Sequence, residues 1–270
     1  MARPGPPDGR YGLAMDFEKY GPWALIVGGS EGIGASFARR LAADGFPLAV
    51  VARKPAPLED LASELRATGA EVRVLSADLS QPGAVDVVRE LTDDIEVGLL
   101  IYNAGANSVR GNFVELDPEV YRSVIAVNVT GQTEFVHHYG APMCQRGRGG
   151  IILCGSTASY IGSPTLAAYT ASKAFSRIFS ESLWAECRAF GVDVLHLNVG
   201  FTATPAMARL GYNLDAAQAP QDVAAEGLDH IADGPVWIVG GPQNVELAVQ
   251  RSTVANRADA VTRFAPPPRS

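Results

Sequence analysis

The chain has 270 residues, of which 47% are hydrophobic and 19% are charged. This is the composition of an ordinary globular protein with enough apolar material for a large core, and it excludes disordered and fibrous architectures. Lys and Arg total 22 against 29 for Asp and Glu, a formal net charge of −7. An acidic protein repels polyanions on average, so generic binding to nucleic acid or to an anionic membrane is disfavoured.

Cysteine content and the terminal segments indicate an intracellular setting. Cys144, Cys154 and Cys187 are too few and too widely spaced for a disulfide scaffold or a metal clip, so reduced, buried thiols and no metal site are expected. Residues 1–16 are predicted to form a flexible arm, because they are rich in Pro and Gly and lack the apolar core of a signal peptide. No apolar run approaches the ~20 residues that a membrane span requires. We therefore predict a cytoplasmic protein without a membrane span.

Short apolar runs alternate with longer segments of helical periodicity along the chain. Strands are predicted near residues 23–27, 48–52, 71–75, 98–102, 150–154, 192–197 and 236–239. Helices are predicted near residues 32–44, 58–68, 82–91, 118–147, 165–190, 221–232 and 243–263. Repeated strand–helix–strand units predict an α/β fold, with a doubly wound parallel sheet of about seven strands and helices on both faces. No linker interrupts the pattern, so residues 17–264 are predicted to form one domain, followed by a tail over residues 265–270.

A glycine-rich loop follows the first predicted strand and leads into a helix. It contains Gly28, Ser30, Gly32, Ile33 and Gly34. Glycines at such a turn let backbone amides approach a pyrophosphate at the positive end of the helix. The loop lies at the first turn of the series, where dinucleotides bind, and this position predicts phosphate binding more strongly than the glycines alone.

The same residues also satisfy the G-x-S-x-G pattern of serine hydrolases, with Ser30 as the nucleophile. In that fold the nucleophile follows several strands and is paired with an acid and a histidine farther along the chain. Ser30 follows the first strand, and none of the four histidines has a recognisable triad context. A serine hydrolase is therefore kept only as the weaker alternative.

The end of the second predicted strand bears on the choice of dinucleotide. An acidic residue there would bind the ribose hydroxyls of NAD, whereas a basic residue accommodates the 2′-phosphate of NADP. Ala52 and Arg53 stand at this point, although Glu31 adds a negative charge in the same region. NADP is therefore the predicted cofactor, with NAD as the alternative.

A candidate acid–base group follows the fifth predicted strand. Ser156 closes that strand, and Tyr169 and Lys173 are four residues apart, on one face of the next helix. A tyrosine has a reference pKa of about 10 and is a poor base at neutral pH. Lys173 and a cationic nicotinamide are expected to lower the pKa of Tyr169. Ser156 would hydrogen-bond the substrate oxygen while Tyr169 exchanges a proton with it.

With these motifs in order, the chain resembles the short-chain dehydrogenase/reductase family. The similarity covers roughly residues 20–240 and rests on the glycine motif, on the Tyr-x-x-x-Lys pair and on Ser156 thirteen positions before Tyr169. It extends to Asn103-Ala104-Gly105 and to Asn128. Tyr102 replaces an Asn of the family pattern, a change expected to cost a local hydrogen bond.

The resemblance implies a single-domain Rossmann fold and a nicotinamide cofactor. It implies that Tyr169 is the catalytic acid/base, that Lys173 contacts the nicotinamide ribose, that Ser156 contacts the substrate oxygen and that Asn128 holds a water in a proton relay. Asp78 matches the family's adenine-contacting acid. The full predicted cofactor-binding set is Gly28, Ser30, Gly32, Ile33, Gly34, Arg53, Asp78, Leu79, Asn103, Ala104, Gly105, Tyr169, Lys173, Gly200 and Thr204.

We therefore predict an NADP(H)-preferring oxidoreductase that interconverts a ketone and a secondary alcohol. Its small-molecule substrate is expected to be largely apolar, lipid-like or cyclic, and to contact Phe113, Ile161, Phe201, Met207, Leu210 and Tyr212. Several of these residues could instead simply fill the core. The alternative function is a catalytically silent regulatory protein that binds a nicotinamide cofactor on the same fold. A homodimer or homotetramer is a family-level expectation, with the long helices pairing between subunits.

Overall fold

Seven strands form one parallel sheet in a computed structural model that describes residues 14–106 and 110–263. The strands are β1 (Trp23–Val27), β2 (Leu48–Ala52), β3 (Val72–Ser76), β4 (Val97–Tyr102), β5 (Gly149–Cys154), β6 (Val192–Asn198) and β7 (Val236–Ile238). Their order in the sheet is β3-β2-β1-β4-β5-β6-β7, and every neighbouring pair is parallel. The predicted single-domain, doubly wound sheet is confirmed.

Helices connect the strands and cover both faces of the sheet. They are α1 (Phe17–Tyr20), α2 (Gly32–Ala43), α3 (Pro55–Ala67), α4 (Ala84–Thr92), α5 (Pro118–Ile125), α6 (Gln132–Arg146), α7 (Ala167–Cys187), α8 (Pro205–Arg209), α9 (Pro220–Asp229), α10 (Pro242–Thr253) and α11 (Arg257–Thr262). Because both faces are covered, β1, β2, β4 and β5 are buried along their whole length, which is why they are continuous apolar runs in the sequence.

The core has one cluster on each face of the sheet. On one face, α2, α3 and α9 contribute side chains such as Phe37, Leu61 and Val223. On the other face, α4 and α6 contribute Val88 and Phe135 among others. Both clusters include side chains of the middle strands β1 and β4, so the sheet is packed on both faces next to the loops that follow these strands.

The predicted helix over residues 118–147 is interrupted. A π-helical segment, Ala126–Gly131, lies between α5 and α6. The hydroxyl of Tyr102 donates a 2.6 Å hydrogen bond to the carbonyl of Val127 at the start of this segment. The expected loss of a hydrogen bond at Tyr102 is therefore wrong, because the longer side chain reaches another acceptor. A π-turn inserts an extra residue and redirects the side chains within it, among them Asn128.

Other differences concern short or broken helices. The predicted helix over residues 243–263 is two helices, because α10 ends at Thr253 and the side chain of Asn256 accepts a hydrogen bond from the Asp259 amide to begin α11. Helices α1 and α8 were not predicted, since they are shorter than the window over which periodicity is visible. The predicted helix over residues 165–190 ends at Cys187 and is followed by a 3₁₀ turn.

The sheet order creates a crevice. Strands β1 and β4 are neighbours although they are not consecutive, so the loops after them leave in opposite directions at the carboxyl edge. The predicted tail lies outside the described residues, as does most of the predicted arm. Within residues 14–106 and 110–263, no helix is long and apolar enough to cross a membrane.

Candidate active site

The glycine-rich loop after β1 is packed tightly against the end of β4. Gly28 has a φ of +89°, and a Cβ atom there would lie 2.5 Å from the Ala104 nitrogen. A Cβ atom on Gly34 would lie 2.1 Å from the Gly28 carbonyl oxygen. Glu31 provides no side-chain cap for α2 within the described chain. The first-turn amides of α2 are therefore left to bind an anion, which is the requirement for a dinucleotide phosphate.

The opposite wall of the crevice is the segment after β4. The side-chain amide of Asn103 donates a 2.7 Å hydrogen bond to the Gly28 carbonyl, and the backbone amides of Asn103 and Ala104 both bond to Val27. These bonds fix Asn103-Ala104-Gly105 against the glycine loop. Ser30 is half-buried in that loop, whereas Ile33 packs against the core cluster of α2. The predicted phosphate-binding residues and the residues after β4 therefore lie together.

Charged side chains gather at the end of β2. Arg53 is exposed, and the carboxylate of Glu31 lies 3.3 Å from the Lys54 ammonium. Arg209, at the end of α8, donates a 2.9 Å hydrogen bond to the same carboxylate. The Arg209 guanidinium, and secondarily Lys54, hold the pKa of Glu31 below its usual range. Lys54 and Arg209 thus counter the negative charge of Glu31, which the sequence indicated to be unfavourable for a phosphate. Arg209 was not predicted to lie here, because it is 178 residues away from Glu31 in the chain.

Asp78 and Leu79 follow β3 at the same edge. The Asp78 carboxylate accepts hydrogen bonds from the amide and the hydroxyl of Ser80, at 3.0 and 2.8 Å. These bonds lower the pKa of Asp78, with a smaller contribution from Arg53. Asp78 is exposed, whereas Leu79 is buried in the core cluster. An ionised, exposed carboxylate therefore stands at this corner of the crevice.

Ser156, Tyr169 and Lys173 come together where β5 ends. The hydroxyl of Ser156 accepts a 3.1 Å hydrogen bond from the Ala158 amide and also hydrogen-bonds Tyr169. The Lys173 ammonium lies 5.9 Å from the centre of the Tyr169 ring and donates a 2.9 Å hydrogen bond to the Cys154 carbonyl. Three of the four predicted catalytic side chains therefore form one cluster at the carboxyl edge of the sheet.

The protein environment of this cluster does not lower the pKa of Tyr169. Burial raises that pKa, and the hydrogen bond from Ser156 opposes the rise. Burial also lowers the pKa of Lys173. The expectation that Lys173 would depress the pKa of Tyr169 is wrong for the protein chain by itself, because the ammonium bonds to the Cys154 carbonyl instead of the phenol.

Asn128 is buried in the π-helical segment. Its side-chain oxygen accepts a 2.8 Å hydrogen bond from the Ala106 amide, and its side-chain nitrogen donates to the Ser172 hydroxyl at 3.0 Å. A Cβ atom on Gly105 would lie 3.8 Å from that oxygen and 3.6 Å from the Lys173 ammonium. Asn128 therefore joins the segment after β4 to α7 beside Lys173. Nothing in the sequence pattern singled out Ser172 or Ala106.

A buried histidine lies beneath Ser156. A Cβ atom on Gly155 would lie only 2.0 Å from Cε1 of His196, which is fully buried on β6. Neither ring nitrogen has a hydrogen-bond partner within the described chain. Burial, followed by the charges of Lys173 and Arg177, lowers the pKa of His196 to about 3. A neutral imidazole therefore packs directly against the backbone that precedes Ser156, a contact that the sequence did not reveal.

The predicted substrate residues are divided between two regions. Phe113 lines an apolar cavity beside Tyr169, together with Leu116, Val120, Tyr121, Val124 and Leu166. Phe201 and Tyr212 contact each other edge to face with ring centres 5.8 Å apart, and Met207 and Leu210 accompany them on or next to α8. Ile161 is buried. Of the predicted substrate set, only Phe113 belongs to the cavity beside Tyr169.

The segment after β6 lies against the glycine loop. The Thr204 hydroxyl accepts a hydrogen bond from the Met207 amide and begins α8. A Cβ atom on Gly32 would lie 3.1 Å from the Thr204 methyl group, whereas one on Gly200 would meet the side chain of Asn244. Thr204 therefore borders the glycine-rich loop directly, whereas Gly200 faces Asn244.

The C-terminal helices contact the turn that follows Ser156. Arg251 on α10 donates a 3.3 Å hydrogen bond to the Thr157 carbonyl, and Arg257 on α11 donates a 3.2 Å hydrogen bond to the Tyr160 carbonyl. The sequence predicted a helix here but no connection to the site. A hydrogen bond to a backbone carbonyl that is far away in the chain leaves no local pattern in the sequence, so these contacts were not predicted.

Comparison with known proteins establishes the family. A family model for short chain dehydrogenases matches residues 22–214. A 7beta-hydroxysteroid dehydrogenase from Clostridium sardiniense is 33% identical over 232 residues, 84% of this chain and 88% of that protein. A solved structure concerned with 7beta-hydroxysteroid dehydrogenase stereoselectivity superposes with a TM-score of 0.85 at 30% identity, covering 92% of this chain and 98% of the other. A short-chain dehydrogenase from Sphingobium yanoikuyae in complex with NADPH gives a TM-score of 0.74 at 30% identity, covering 90% and 92%.

The chain belongs to the short-chain dehydrogenase/reductase family. It is an oxidoreductase that acts on CH–OH groups with a nicotinamide cofactor, and the resemblance noted in the sequence is confirmed. The serine hydrolase alternative is removed, and in the described part of the chain no histidine hydrogen-bonds Ser30.

Proposed function

We propose that this protein is an NADP(H)-preferring oxidoreductase that interconverts a ketone and a secondary alcohol on a largely apolar, cyclic substrate such as a steroid. The observation that carries the proposal is the cluster of Ser156, Tyr169 and Lys173 beside the glycine-loop crevice. The 7beta-hydroxysteroid dehydrogenase that is 33% identical over most of both chains supports the cyclic substrate.

The crevice residues fit a nicotinamide dinucleotide. The glycine loop and the first turn of α2 would hold the pyrophosphate, since their backbone is fixed and their amides lie at the positive end of a helix. Asp78 would contact the adenine, Arg53 the 2′-phosphate and Lys173 the nicotinamide ribose. When bound, the cofactor supplies or accepts the hydride.

The proton moves through Tyr169. In the reducing direction, its hydroxyl donates a proton to the substrate oxygen, while the Ser156 hydroxyl hydrogen-bonds the same oxygen. Because burial raises the pKa of Tyr169, the protein chain keeps the phenol protonated and ready to act as an acid at neutral pH. In the oxidising direction, the same side chain must first lose its proton, which makes oxidation faster as the pH rises.

Asn128 and Lys173 support this proton transfer. Lys173 is held by the Cys154 carbonyl, and Asn128 is held by Ala106 and Ser172. Both side chains border Gly105, so a water placed there would lie within reach of the two and could take part in a proton relay. Asn128 is proposed to position this relay.

The substrate side of the site is apolar. Phe113 and its neighbours line the cavity beside Tyr169, which holds only about 20 Å³, so a cyclic substrate would have to displace these side chains before it buried apolar surface there at roughly 25 cal/mol per Å². Phe201 and Tyr212 form an exposed aromatic pair on the segment next to the glycine loop. We propose that this pair covers the substrate from the side opposite Phe113.

The activity is tested by following NADPH absorbance during reduction of oxo-steroids, and its formation during oxidation of 7beta-hydroxysteroids. Tyr169→Phe should lower kcat by about 100-fold or more, because general acid–base catalysis contributes at least that much. Tyr160→Phe is the matched control and should retain activity, since the Tyr160 ring packs over Arg177 and keeps that contact as Phe. Full turnover in Tyr169→Phe would refute the assignment.

Cofactor preference is tested by thermal shift. A ligand held at 100 times its dissociation constant stabilises the fold by about 2.7 kcal/mol, so NADPH should raise Tm more than NADH at equal concentration. Arg53→Ser should weaken NADPH binding by roughly tenfold or more through loss of a charge-assisted contact and leave NADH binding almost unchanged. The exposed Arg122→Ser on α5 is the control. An equal shift in Tm with NADH in the wild type would contradict the proposed role of Arg53 in binding the 2′-phosphate.

We also propose a homodimer or homotetramer in the cytoplasm. Helix α7 exposes Phe175 and Ile178, with 38% and 52% of their surface accessible. Large apolar side chains on one helix are favoured where a second copy covers them. Sedimentation of the wild type beside Ile178→Lys would show the assembly and its loss.

A further inference from the structure

One ion pair joins the glycine-rich loop to the segment that follows β6. Arg209, the last residue of α8, donates hydrogen bonds from its two terminal nitrogens to the two carboxylate oxygens of Glu31, one of them at 2.9 Å. Such a paired contact fixes geometry as well as charge. Thr204, at the start of α8, also borders the loop, since a Cβ atom on Gly32 would lie 3.1 Å from its methyl group. Both ends of α8 therefore contact the glycine-rich loop.

The Glu31 carboxylate lies beside the charged end of β2, where Arg53 is proposed to bind the 2′-phosphate of NADP. One oxygen of this carboxylate is 3.3 Å from the Lys54 ammonium, and Lys54 directly follows Arg53 in the chain. The Arg209 guanidinium, followed by Lys54, holds the pKa of Glu31 below its usual range. The carboxylate is therefore ionised at neutral pH, and its negative charge is balanced by the neighbouring cations and not by a proton.

Arg209 decides how much positive charge is left for a phosphate at this point. Glu31, Lys54 and Arg209 together carry a net charge of +1, whereas Glu31 and Lys54 alone carry none. Because Arg209 contacts both carboxylate oxygens, Lys54 shares only one of them and retains donors for a second acceptor. Without Arg209, Lys54 would be the main counterion of Glu31, and the carboxylate would repel a nearby phosphate.

We propose that Arg209 is a positioning residue that favours NADP(H) over NAD(H), because it holds the Glu31 carboxylate and cancels its charge beside the 2′-phosphate. The inference rests on the proposed function, since it extends the cofactor preference that is assigned there to Arg53. NAD(H) carries a hydroxyl in place of this phosphate, so its affinity depends little on the charge at the end of β2. The ratio of the NADPH and NADH affinities therefore reports the effect of Arg209.

The segment that carries Arg209 is also the segment proposed to cover the substrate. Met207 and Leu210 lie on either side of Arg209 in the chain, and the Phe201–Tyr212 aromatic pair is formed by the same segment. One stretch of chain after β6 would thus contribute both to the substrate side of the site and to the choice of cofactor.

The test measures the dissociation constants of NADPH and NADH for the full chain by fluorescence titration. Arg209→Gln should weaken NADPH binding by about 3- to 10-fold and NADH binding by less than about twofold, since charge interactions at the surface are modest. Arg209→Lys should retain most of the selectivity, because it restores the charge without the paired geometry. At about 1 M salt, where the Debye length is about 3 Å, most of the difference between Arg209→Gln and the wild type should disappear.

Arg39→Gln is the matched control. Arg39 on α2 forms the same kind of paired contact with Glu64 on α3, at 2.7 and 2.8 Å, and its side chain is 50% exposed, as is that of Arg209. Arg39 is seven residues beyond Gly32, or about 10 Å along the helix at 1.5 Å per residue. This variant loses an equal charge and an equivalent ion pair, and its ratio of NADPH to NADH affinity should match that of the wild type.

A double variant distinguishes an effect through Glu31 from direct contact between Arg209 and the phosphate. In a Glu31→Gln background, Lys54 has no carboxylate to pair with and Arg209 is no longer held at the loop. Arg209→Gln should then change NADPH binding by less than about twofold. An equal loss in both backgrounds, an equal loss for NADPH and NADH, or an unchanged NADPH affinity in the single variant would each overturn the proposal.

The same titrations separate this inference from the proposed function. A wild type that binds NADH as tightly as NADPH would contradict the proposed cofactor preference, and the change in the affinity ratio caused by Arg209→Gln would still decide the role of Arg209. A wild type that prefers NADPH, with the same preference in Arg209→Gln, would contradict the role of Arg209 alone.

Discussion

The contact between Gly155 and His196 provides a sharp test of how packing supports the site. A Cβ atom on Gly155 would lie 2.0 Å from Cε1 and 2.1 Å from Nε2 of the fully buried ring. Ordinary contacts begin at about 3.4 Å, so Gly155→Ala must displace the imidazole or the strand end that carries Ser156. Overpacking of this kind costs about 1–3 kcal/mol in unfolding free energy. Because Ser156 is the next residue, kcat should fall as well.

A double-mutant cycle isolates the contact. His196→Ala alone should cost about 2–4 kcal/mol through the cavity that it leaves, partly offset because two unpartnered ring nitrogens are removed. In the double variant, the new methyl group occupies part of that cavity. The combined loss should therefore be smaller than the sum of the two single losses by about 1–3 kcal/mol.

Urea unfolding supplies the three free energies, and steady-state reduction of the same ketone supplies kcat. We expect His196→Ala to restore part of the kcat lost in Gly155→Ala. Losses that add to within about 0.5 kcal/mol, or a Gly155→Ala protein as stable as the wild type, would show that the ring does not restrict this position.

Two further predictions concern charge. The pKa of His196 is lowered to about 3, below its unfolded value of about 6.5, so its contribution is present above pH 6.5 and is lost as pH falls toward 3. His196→Gln should therefore reduce the dependence of unfolding free energy on pH between 6.5 and 4, and an unchanged dependence would exclude His196 as a cause. Glu31→Gln removes the anion beside Lys54 and Arg209, whose side chains are 43% and 50% exposed, so it should cost at most about 1 kcal/mol of stability. It should also enlarge the Tm shift caused by NADPH relative to NADH, and a smaller NADPH shift would contradict this reading.

The sequence alone determined the features that depend on neighbours along the chain. Alternation of apolar runs and helical periods predicted all seven strands, because even the two edge strands, β3 and β7, are short and mainly apolar, although they are only partly buried. The glycine loop was recognisable because only glycine permits its backbone at Gly28. Tyr169 and Lys173 were recognisable because four residues make about one helical turn.

Tertiary structure decided the features that depend on residues far apart in the chain. It interrupted the predicted helix with the π-turn that carries Asn128, and it brought Arg209 to Glu31 across 178 positions. In the protein chain by itself, burial raises the pKa of Tyr169, and burial is a property of the folded environment that the Tyr-x-x-x-Lys spacing does not show. Such contacts leave no periodic signal, because each arises only where two strands or helices are packed together.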